Sequence, residues 1–448
     1  MGMETFKVGC AAGFSGDRID GVGPVVKSLI ETGGHALIFE TLAERTLALA
    51  QLRRNENPEA GYEPLLEEML RPCLADCLHH GISIISNFGQ ANPPAAARHI
   101  ARLASEMGLR APRIAVLAGD RLEGPEIMAF LTKVLPGEID ASRIVCINAY
   151  QGGAQIAQAL QAGAEIVVAG RVADPSLVVG PAMAHFGWAD NDWPNLAIAT
   201  MAGHLLECGT QVTGGYFAVP GLKDVPGMHE LGFPLADITA DGQITISKPA
   251  GTGGLVNART VKEQLLYEVH DPAAYLTPDV TADISRVKVD DLGDDRVLVR
   301  GIHGHPRPDM LKVNVFMRGG WLAEAEISYA GIQAEARARL AADILHKRLS
   351  PELRMRVDLI GSLSIFADDA GRMLQAHGVS SNRDIRLRVA AVHDSRQTAE
   401  KLLKEMNALY TCGPAGGGGV RTFLKPRLNS VSAFIPRELA PASWSFLA

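Results

Sequence analysis

A histidine, a glutamate and a cysteine lie together in the segment AGHLLECGTQVTGG. His204 and Glu207 are three residues apart, and Cys208 is four residues after His204. In a helix, side chains at these spacings share one face. An imidazole, a carboxylate and a thiol on one face can act as acid, base or nucleophile. HxxEC is not an established zinc motif, so we predict catalytic side chains here and no metal site. A single structural histidine is the alternative interpretation.

Arg171 and Asp174 follow a buried apolar run, in the segment GRVADPS. An arginine at such a position can bind a carboxylate or a phosphate through two parallel hydrogen bonds. Asp174 adds a further candidate acid or base. The simpler interpretation is an Arg171–Asp174 ion pair that only orders the loop.

Three glycine-rich loops are candidate anion-binding sites, because glycine lets backbone N–H groups approach an anion closely. They are GCAAGFSGD near the N-terminus, KPAGTGG in the second half and TCGPAGGGGVRT near the C-terminus. The first loop matches neither GxGxxG nor a Walker loop. A flexible loop is the alternative for the third. The residues that we predict to bind an anion are Ser15, Gly16, Asp17, Lys248, Gly251, Thr252, Gly253, Gly254 and Arg421.

Buried strands are expected to position these residues, since the first half alternates apolar runs with helical segments. The apolar runs are continuous, as in strands that are buried on both faces. Alternating β and α units predict a doubly wound, mostly parallel sheet with right-handed crossovers. The strand-like runs are 6–10, 36–40, 82–86, 113–118, 143–148 and 165–170, and the helical segments lie near 20–31, 42–53, 63–80, 93–107, 124–134 and 152–162.

Polar residues follow every one of these strands. Ligands of open α/β sheets bind outside the carboxyl ends of the strands. We therefore predict a polar pocket there, to which Asn87, Asn148 and Arg171 contribute. Glu40 ends the second strand, where a dinucleotide-binding acid would lie. This keeps a nucleotide- or NAD-binding enzyme as one hypothesis.

The pattern changes after about residue 174, where two helical segments precede runs that alternate apolar and polar residues between 243 and 330. Alternation is typical of a mixed or antiparallel sheet with one solvated face. Further helices are expected near 258–268, 332–348 and 395–408. Because residues 216–242 are rich in glycine and proline, we predict a parallel α/β domain with the pocket over 1–225 and an α+β domain over 226–448.

The composition excludes several classes of protein. Of the 448 residues, 47% are hydrophobic, 21% are charged and 5% are aromatic, and the formal net charge is −7. No basic surface is thus available to bind nucleic acid or an anionic membrane. Six cysteines without a CxxC pair favour reduced thiols in the cytoplasm. We find neither an apolar run long enough to span a membrane nor a signal peptide.

Several segments resemble the acyclic terpene utilisation (AtuA-like) family. They are HLLECGTQVTGG, SKPAGTGGLVNARTVKEQLLYEVHDPAAYLTPDV, GPAGGGGVR, NPPAAA, AYQGGAQIAQALQAGAEIVVAGRVADPSLVVGP and DWPNLAIATMAGHLLECG, and the resemblance covers essentially the whole chain. It implies a catabolic enzyme that acts on a carboxylic acid or its coenzyme A thioester. Coenzyme A would then be part of the substrate, and the sequence leaves any further cofactor open.

Lyase or hydratase chemistry beside an acyl carbonyl needs an enolate-stabilising group and an acid–base group. Arg171 or Lys248 with the glycine loops would supply the first, and His204, Glu207 or Asp174 the second. The family often carries or accompanies a small ferredoxin-fold-like domain. Because the 448 residues leave no room for such a domain beside the two predicted ones, we expect a separately encoded subunit of that fold, besides a homo-oligomer. A non-catalytic subunit of such a complex is the alternative hypothesis.

Overall fold

A computed structural model describes residues 4–135, 140–350 and 352–448. Its strands are β1 (Thr5–Cys10), β2 (Ala36–Phe39), β3 (Ser83–Ser86), β4 (Ile114–Ala118), β5 (Ile144–Ala149), β6 (Ile166–Val168), β7 (Leu235–Thr239), β8 (Ile244–Ser247), β9 (Tyr275–Leu276), β10 (Thr281–Asp283), β11 (Lys288–Gly293), β12 (Arg296–Arg300), β13 (His303–His305), β14 (Met310–Ala330), β15 (Met355–Ile360), β16 (Asp384–His393), β17 (Gly418–Pro436) and β18 (Ser443–Phe446). Its α-helices are α1 (Val22–Thr32), α2 (Glu44–Glu56), α3 (Leu66–Leu70), α4 (Leu74–His80), α5 (Pro93–Glu106), α6 (Pro125–Val134), α7 (Ala154–Gln161), α8 (Ser176–Phe186), α9 (Trp193–Glu207), α10 (Ala258–Leu266), α11 (Ala334–Leu349), α12 (Arg372–Ala376) and α13 (Arg396–Cys412).

The chain divides into two compact units. The first consists of Met1–Asp140, Val145–Val315 and Ser430–Ala448, and the second of Ala141–Ile144 and Phe316–Asn429. Antiparallel pairing of β7 with β1 places residues from both sides of position 225 in one sheet. The division into domains 1–225 and 226–448 stays a prediction.

The first unit contains a ten-stranded sheet in the order β11-β12-β8-β7-β1-β2-β3-β6-β4-β18. The strands β1, β2, β3, β6 and β4 pair in parallel. The strands on either side of them pair antiparallel. The predicted α/β class, with a mostly parallel sheet in the N-terminal half, is confirmed.

Helices cover both faces of the parallel strands. Ile38 and Ile85 lie in one core with α7, α8 and α9. Leu37 and Ile84, their neighbours in sequence, lie in a second core with α1, α4 and α5. Successive side chains of a strand point to opposite faces, so both faces need apolar residues. This explains the continuous apolar runs.

Two local predictions were wrong. The run 143–148 forms β5, but this strand pairs with β14 instead of joining the parallel strands. The outer edge of β4 is instead paired with β18 from the end of the chain. The predicted helix 63–80 is interrupted between α3 and α4. Pro72 lies at the break and cannot donate the backbone hydrogen bond of a continuous helix.

The second unit has the chain order strand, helix, strand, strand, helix, strand, apart from the short α12. Its strands run in the order β15-β16-β14-β17, and α11 and α13 share their apolar core. This is a ferredoxin-like arrangement in the predicted α+β part, where antiparallel pairing is confirmed. The chain itself contains this arrangement, so the expectation that it has no room for one was wrong. A separate partner subunit of this fold stays a prediction.

Helix α9 is apolar on all sides, and residues 196–206 are all buried. A helix with this pattern belongs in a core rather than on a surface. It ends at Glu207, so His204 and Glu207 are held by a rigid, buried element. No helix in the described part of the chain is both long enough and apolar enough to cross a membrane.

Candidate active site

A cavity of about 910 Å³ opens in the first unit, at the carboxyl ends of β1, β2 and β6. The ends of α9 and α10 contribute to it, together with residues 275–278 and 308–312. Among the residues predicted for the site, the structure brings five to this cavity: Arg171, Asp174, His204, Glu207 and Cys208. They come from the loop after β6 and the end of α9.

His204 and Glu207 form a hydrogen-bonded pair whose protonation follows from the geometry. His204 Nε2 lies 2.9 Å from the backbone oxygen of Gln264, which can only accept, so Nε2 carries the hydrogen. Nδ1 lies 2.9 Å from Glu207 Oε1. Burial lowers the pKa of His204 to about 4. Burial, then the nearby Asp174 and Glu268 carboxylates, raise the pKa of Glu207 well above its usual range. The neutral imidazole can accept at Nδ1, and the raised pKa of Glu207 favours a carboxylic acid that donates to it.

The second oxygen of Glu207 is unusual. Oε2 is buried and has no hydrogen-bond partner within the described residues. With the Glu207 proton directed at His204, Oε2 is an acceptor at the cavity wall. Buried polar atoms are nearly always paired, so a donor group of a bound molecule is a natural partner for this oxygen.

Arg171 is completely buried and is held mainly by carbonyl oxygens. Its Nη1 donates to Leu42 O over 2.5 Å, and its Nη2 and Nε donate to Val172 O over 2.6 and 2.9 Å. Nη2 also forms an ion pair with Asp174. The guanidinium lies over the Tyr150 ring, 4.4 Å from its centre. Few of its donors therefore remain for a ligand.

Asp174 and Glu40 are the other carboxyl groups close to Arg171. Burial raises the pKa of Asp174, and the Arg171 charge opposes this shift. Burial, then Asp174, raise the pKa of Glu40 well above its usual range. Glu40 Oε1 accepts hydrogen bonds from Leu42 N and Asn87 Nδ2 at 2.7 and 2.8 Å. A neutral Glu40 therefore carries its proton on Oε2.

Asn87 and Asn148 lie behind the cavity wall rather than on it. Asn87 holds the Glu40 carboxyl and accepts a hydrogen bond from Thr41 N at 2.7 Å. Asn148 donates to Asp120, whose carboxylate accepts the backbone N–H of Arg171 at 2.9 Å. Both asparagines are buried. They orient residues that do line the cavity.

The first glycine loop contributes Gly13 and Phe14 to the cavity, but not Ser15, Gly16 or Asp17. The Asp17 carboxylate accepts the Gly13 N–H at 2.9 Å, so it occupies a group that a bound anion would need. A Cβ on Gly13 would lie 2.4 Å from the backbone nitrogen of Gly209. Glycine at this position permits close packing of the loop on the end of α9.

The other two glycine loops do not line the cavity. Lys248 donates to Thr252 O at 2.8 Å and pairs with Asp295 at 3.1 Å. The N–H groups of Gly253 and Gly254 donate to backbone carbonyls at 2.9 and 2.7 Å. Within residues 251–254, these amides are therefore not available to an anion. Arg421 is exposed on β17, in the second unit.

Cys208 lines the cavity, but its surroundings do not favour a thiolate. Burial, and then the Glu207 carboxyl group, raise the pKa of its thiol. Nucleophilic cysteines have the opposite environment, with cations or helix N-termini nearby. In the described ranges, no group of three or more histidine, cysteine, aspartate or glutamate side chains is placed to hold a metal ion.

The buried histidine gives the stability of the protein a specific pH dependence. The pKa of His204 is lowered from 6.5 to about 4 on folding. The lowered pKa of His204 contributes about 3 kcal/mol to the free energy of unfolding. This contribution is complete above pH 6.5 and is lost as the pH falls through 4. We expect His204→Gln to lose less unfolding free energy than the wild type between pH 7 and pH 4, as measured by urea denaturation. Equal losses in both proteins would contradict this assignment.

Comparison with known proteins supports the resemblance that the motif segments suggested. A search of curated proteins gave no match. The sequence model of the family described as "Acyclic terpene utilisation family protein AtuA" matches residues 6–446 of the 448. Its name indicates a catabolic role. The match extends over nearly the whole length, including the residues around the cavity, and we conclude that this chain belongs to the AtuA family of acyclic terpene utilisation proteins.

Proposed function

We propose that this chain is a hydratase or lyase, which adds water to or removes it from the double bond of an unsaturated, methyl-branched acyl compound. The observation that carries the proposal is the grouping of Glu40, Asp174 and Glu207 around Arg171 in one cavity. Paired carboxyl groups with raised pKa values are suited to proton transfer near neutral pH.

The walls of the cavity suit an amphipathic substrate. Phe14, Leu276 and Phe434 line it and are 54%, 58% and 55% exposed. Large exposed apolar side chains that share one cavity are typical of ligand sites. The volume is within the range of about 300–1,000 Å³ of small-molecule pockets. An acyclic, branched hydrocarbon chain would contact this apolar part, and the polar head would reach the carboxyl groups.

The three carboxyl groups have separate roles in the proposed reaction. Asp174, whose ionised form is favoured by the Arg171 charge, accepts a proton from water while the water oxygen bonds to the β-carbon of the double bond. Glu40 donates its Oε2 proton to the α-carbon, which takes up the electron pair of the double bond. Glu207 Oε2 accepts a hydrogen bond from the water and orients it. Proton exchange with solvent restores Glu40 and Asp174.

His204 has a positioning role in this proposal. Nε2 is bound to Gln264 O and Nδ1 to Glu207, so neither nitrogen is directed at the substrate. The imidazole fixes the Glu207 proton on Oε1 and keeps Oε2 as the acceptor. Cys208 takes no part in the reaction.

The experiment is direct. Purified protein is incubated with a ten-carbon methyl-branched enoyl thioester in ¹⁸O-labelled water and, separately, in deuterated water. We expect the ultraviolet absorbance of the conjugated double bond to fall. The product should contain one ¹⁸O, and deuterium at the α-carbon. If the chain alone incorporates no label from the water into any branched or straight enoyl substrate, the proposal is wrong. That result would favour the alternative hypothesis of a non-catalytic subunit.

A further inference from the structure

The charges around the cavity are strongly unequal. Six carboxyl groups line it against two cationic side chains, while His204 is neutral. The carboxyl groups belong to Glu40, Glu44, Asp174, Glu207, Glu268 and Asp309, and the cationic side chains are Arg171 and Lys312. With Glu40 and Glu207 protonated, four carboxyl groups still stand against the two cations, so a carboxylate that entered would meet predominantly like charge, which disfavours its ionised form.

Both cations already have partners within the residues that the structure describes. Arg171 is paired with Asp174 and donates to the carbonyl oxygens of Leu42 and Val172. Lys312 Nζ lies 3.6 Å from Glu44 Oε1 and 4.7 Å from the centre of the Tyr150 ring. Recognition of a carboxylate normally needs a cation whose donors are directed at it. Neither Arg171 nor Lys312 is such a group.

We infer that the acyl head group bound in this cavity is uncharged, as in a thioester or an ester, and is not a free carboxylate. The inference rests on the proposed acyl substrate and makes it more specific. An uncharged carbonyl oxygen needs only a hydrogen-bond donor and no cation. By the same argument, the phosphate groups of a coenzyme A thioester lie outside the cavity, and only the acyl end enters.

Binding measurements without turnover test this inference. The probes are a ten-carbon methyl-branched enoic acid, its methyl ester and its N-acetylcysteamine thioester, with affinities measured by calorimetry at pH 8 and pH 5. At pH 8 we expect the ester and the thioester to bind at least about tenfold more tightly than the acid, which corresponds to about 1.4 kcal/mol. At pH 5 the difference in affinity between the acid and the two esters should be smaller, because a larger fraction of the carboxyl groups of ligand and cavity is then protonated.

Glu44→Gln provides a variant in which binding of the acid should improve. It removes the partner of Lys312 and leaves a free cation at the cavity. We expect this variant to bind the acid about fivefold more tightly, with affinity for the ester changed less than about twofold. Glu263→Gln is the matched control, because Glu263 pairs with Lys223 away from the cavity and should change neither affinity.

Several outcomes would overturn the inference. They are equal or tighter binding of the acid at pH 8, no binding of either ester, or an equal effect of Glu44→Gln on the acid and the ester. The proposed reaction is tested independently of this inference. If the protein binds the ester selectively but adds no water, the inference holds and the hydratase assignment is wrong. If the protein hydrates the substrate but binds the acid and the ester equally well, the hydratase assignment holds and the inference is wrong.

Discussion

Replacement of Asp174 with asparagine is expected to lower the turnover of an enoyl thioester by about 10²–10⁴-fold, the usual cost of losing a general base. Asparagine has nearly the same shape, and its amide oxygen can still accept from Arg171 Nη2, so the fold should remain. The amide cannot take a proton from water. The measurement is kcat from the fall in enoyl absorbance, with the Kd of the unreactive saturated thioester determined in parallel.

The Asp174 prediction has a specific control. Glu263→Gln removes one carboxylate outside the cavity and should leave kcat unchanged. We expect Asp174→Asn to reduce kcat while the Kd of the saturated thioester changes by less than about threefold. If kcat falls by less than tenfold, Asp174 is not the base.

Replacement of Arg171 with lysine should cause the largest loss of stability. Lysine keeps the charge but cannot reproduce the planar fork that donates to Leu42 O, Val172 O and Asp174. Buried acceptors that lose their donors cost about 1–3 kcal/mol each. We therefore expect the unfolding free energy to fall by about 3 kcal/mol or more, as measured by urea denaturation.

Arg110→Lys is the matched control for Arg171→Lys. Arg110 pairs with Glu165 on the surface, and its side chain is 58% exposed. Exposed ion pairs contribute little to the free energy of unfolding, so we expect no measurable change in the urea midpoint of Arg110→Lys. Similar midpoints for the two variants would contradict the structural role of Arg171.

The sequence predicted those parts of the fold that have a local signal. The apolar runs identified β1, β2, β3, β4 and β6, since burial on both faces needs continuous apolar residues. The pairing of β5 with β14 and of β18 with β4 has no such signal, because the partners are far apart in sequence. Strand partners are chosen by the three-dimensional arrangement, which a run of residues does not encode.

The candidate site could be predicted only in part, because segments that are distant in sequence come together there in three dimensions. His204, Glu207, Arg171 and Asp174 reach one cavity because the end of α9 lies beside the loop after β6. From its place at the end of β2, the sequence identifies Glu40 only as a candidate dinucleotide-binding acid. Its protonation depends on burial and on Asp174, which is distant in sequence.

The glycine loops show a limit of motif reasoning. Glycine permits both anion binding and close packing of backbones, and the sequence does not distinguish these uses. At Gly13 the neighbouring backbone of Cys208 and Gly209 accounts for the glycine. In the second loop, a Cβ on Gly253 would lie 2.1 Å from the backbone oxygen of Gly227, and Gly254 has a φ of +87°, so packing and turn geometry account for these glycines.

The pairing of β18 with β4 has a consequence for the synthesis of the protein. Residues 443–446 leave the ribosome long after residues 114–118, so the nascent chain carries an open strand edge on β4 for most of its translation. Such edges recruit other strands, and pairings between distant segments form slowly. The large sheet can therefore be completed only after translation has passed residue 446, and until then the edge of β4 is open to pairing with strands of other chains.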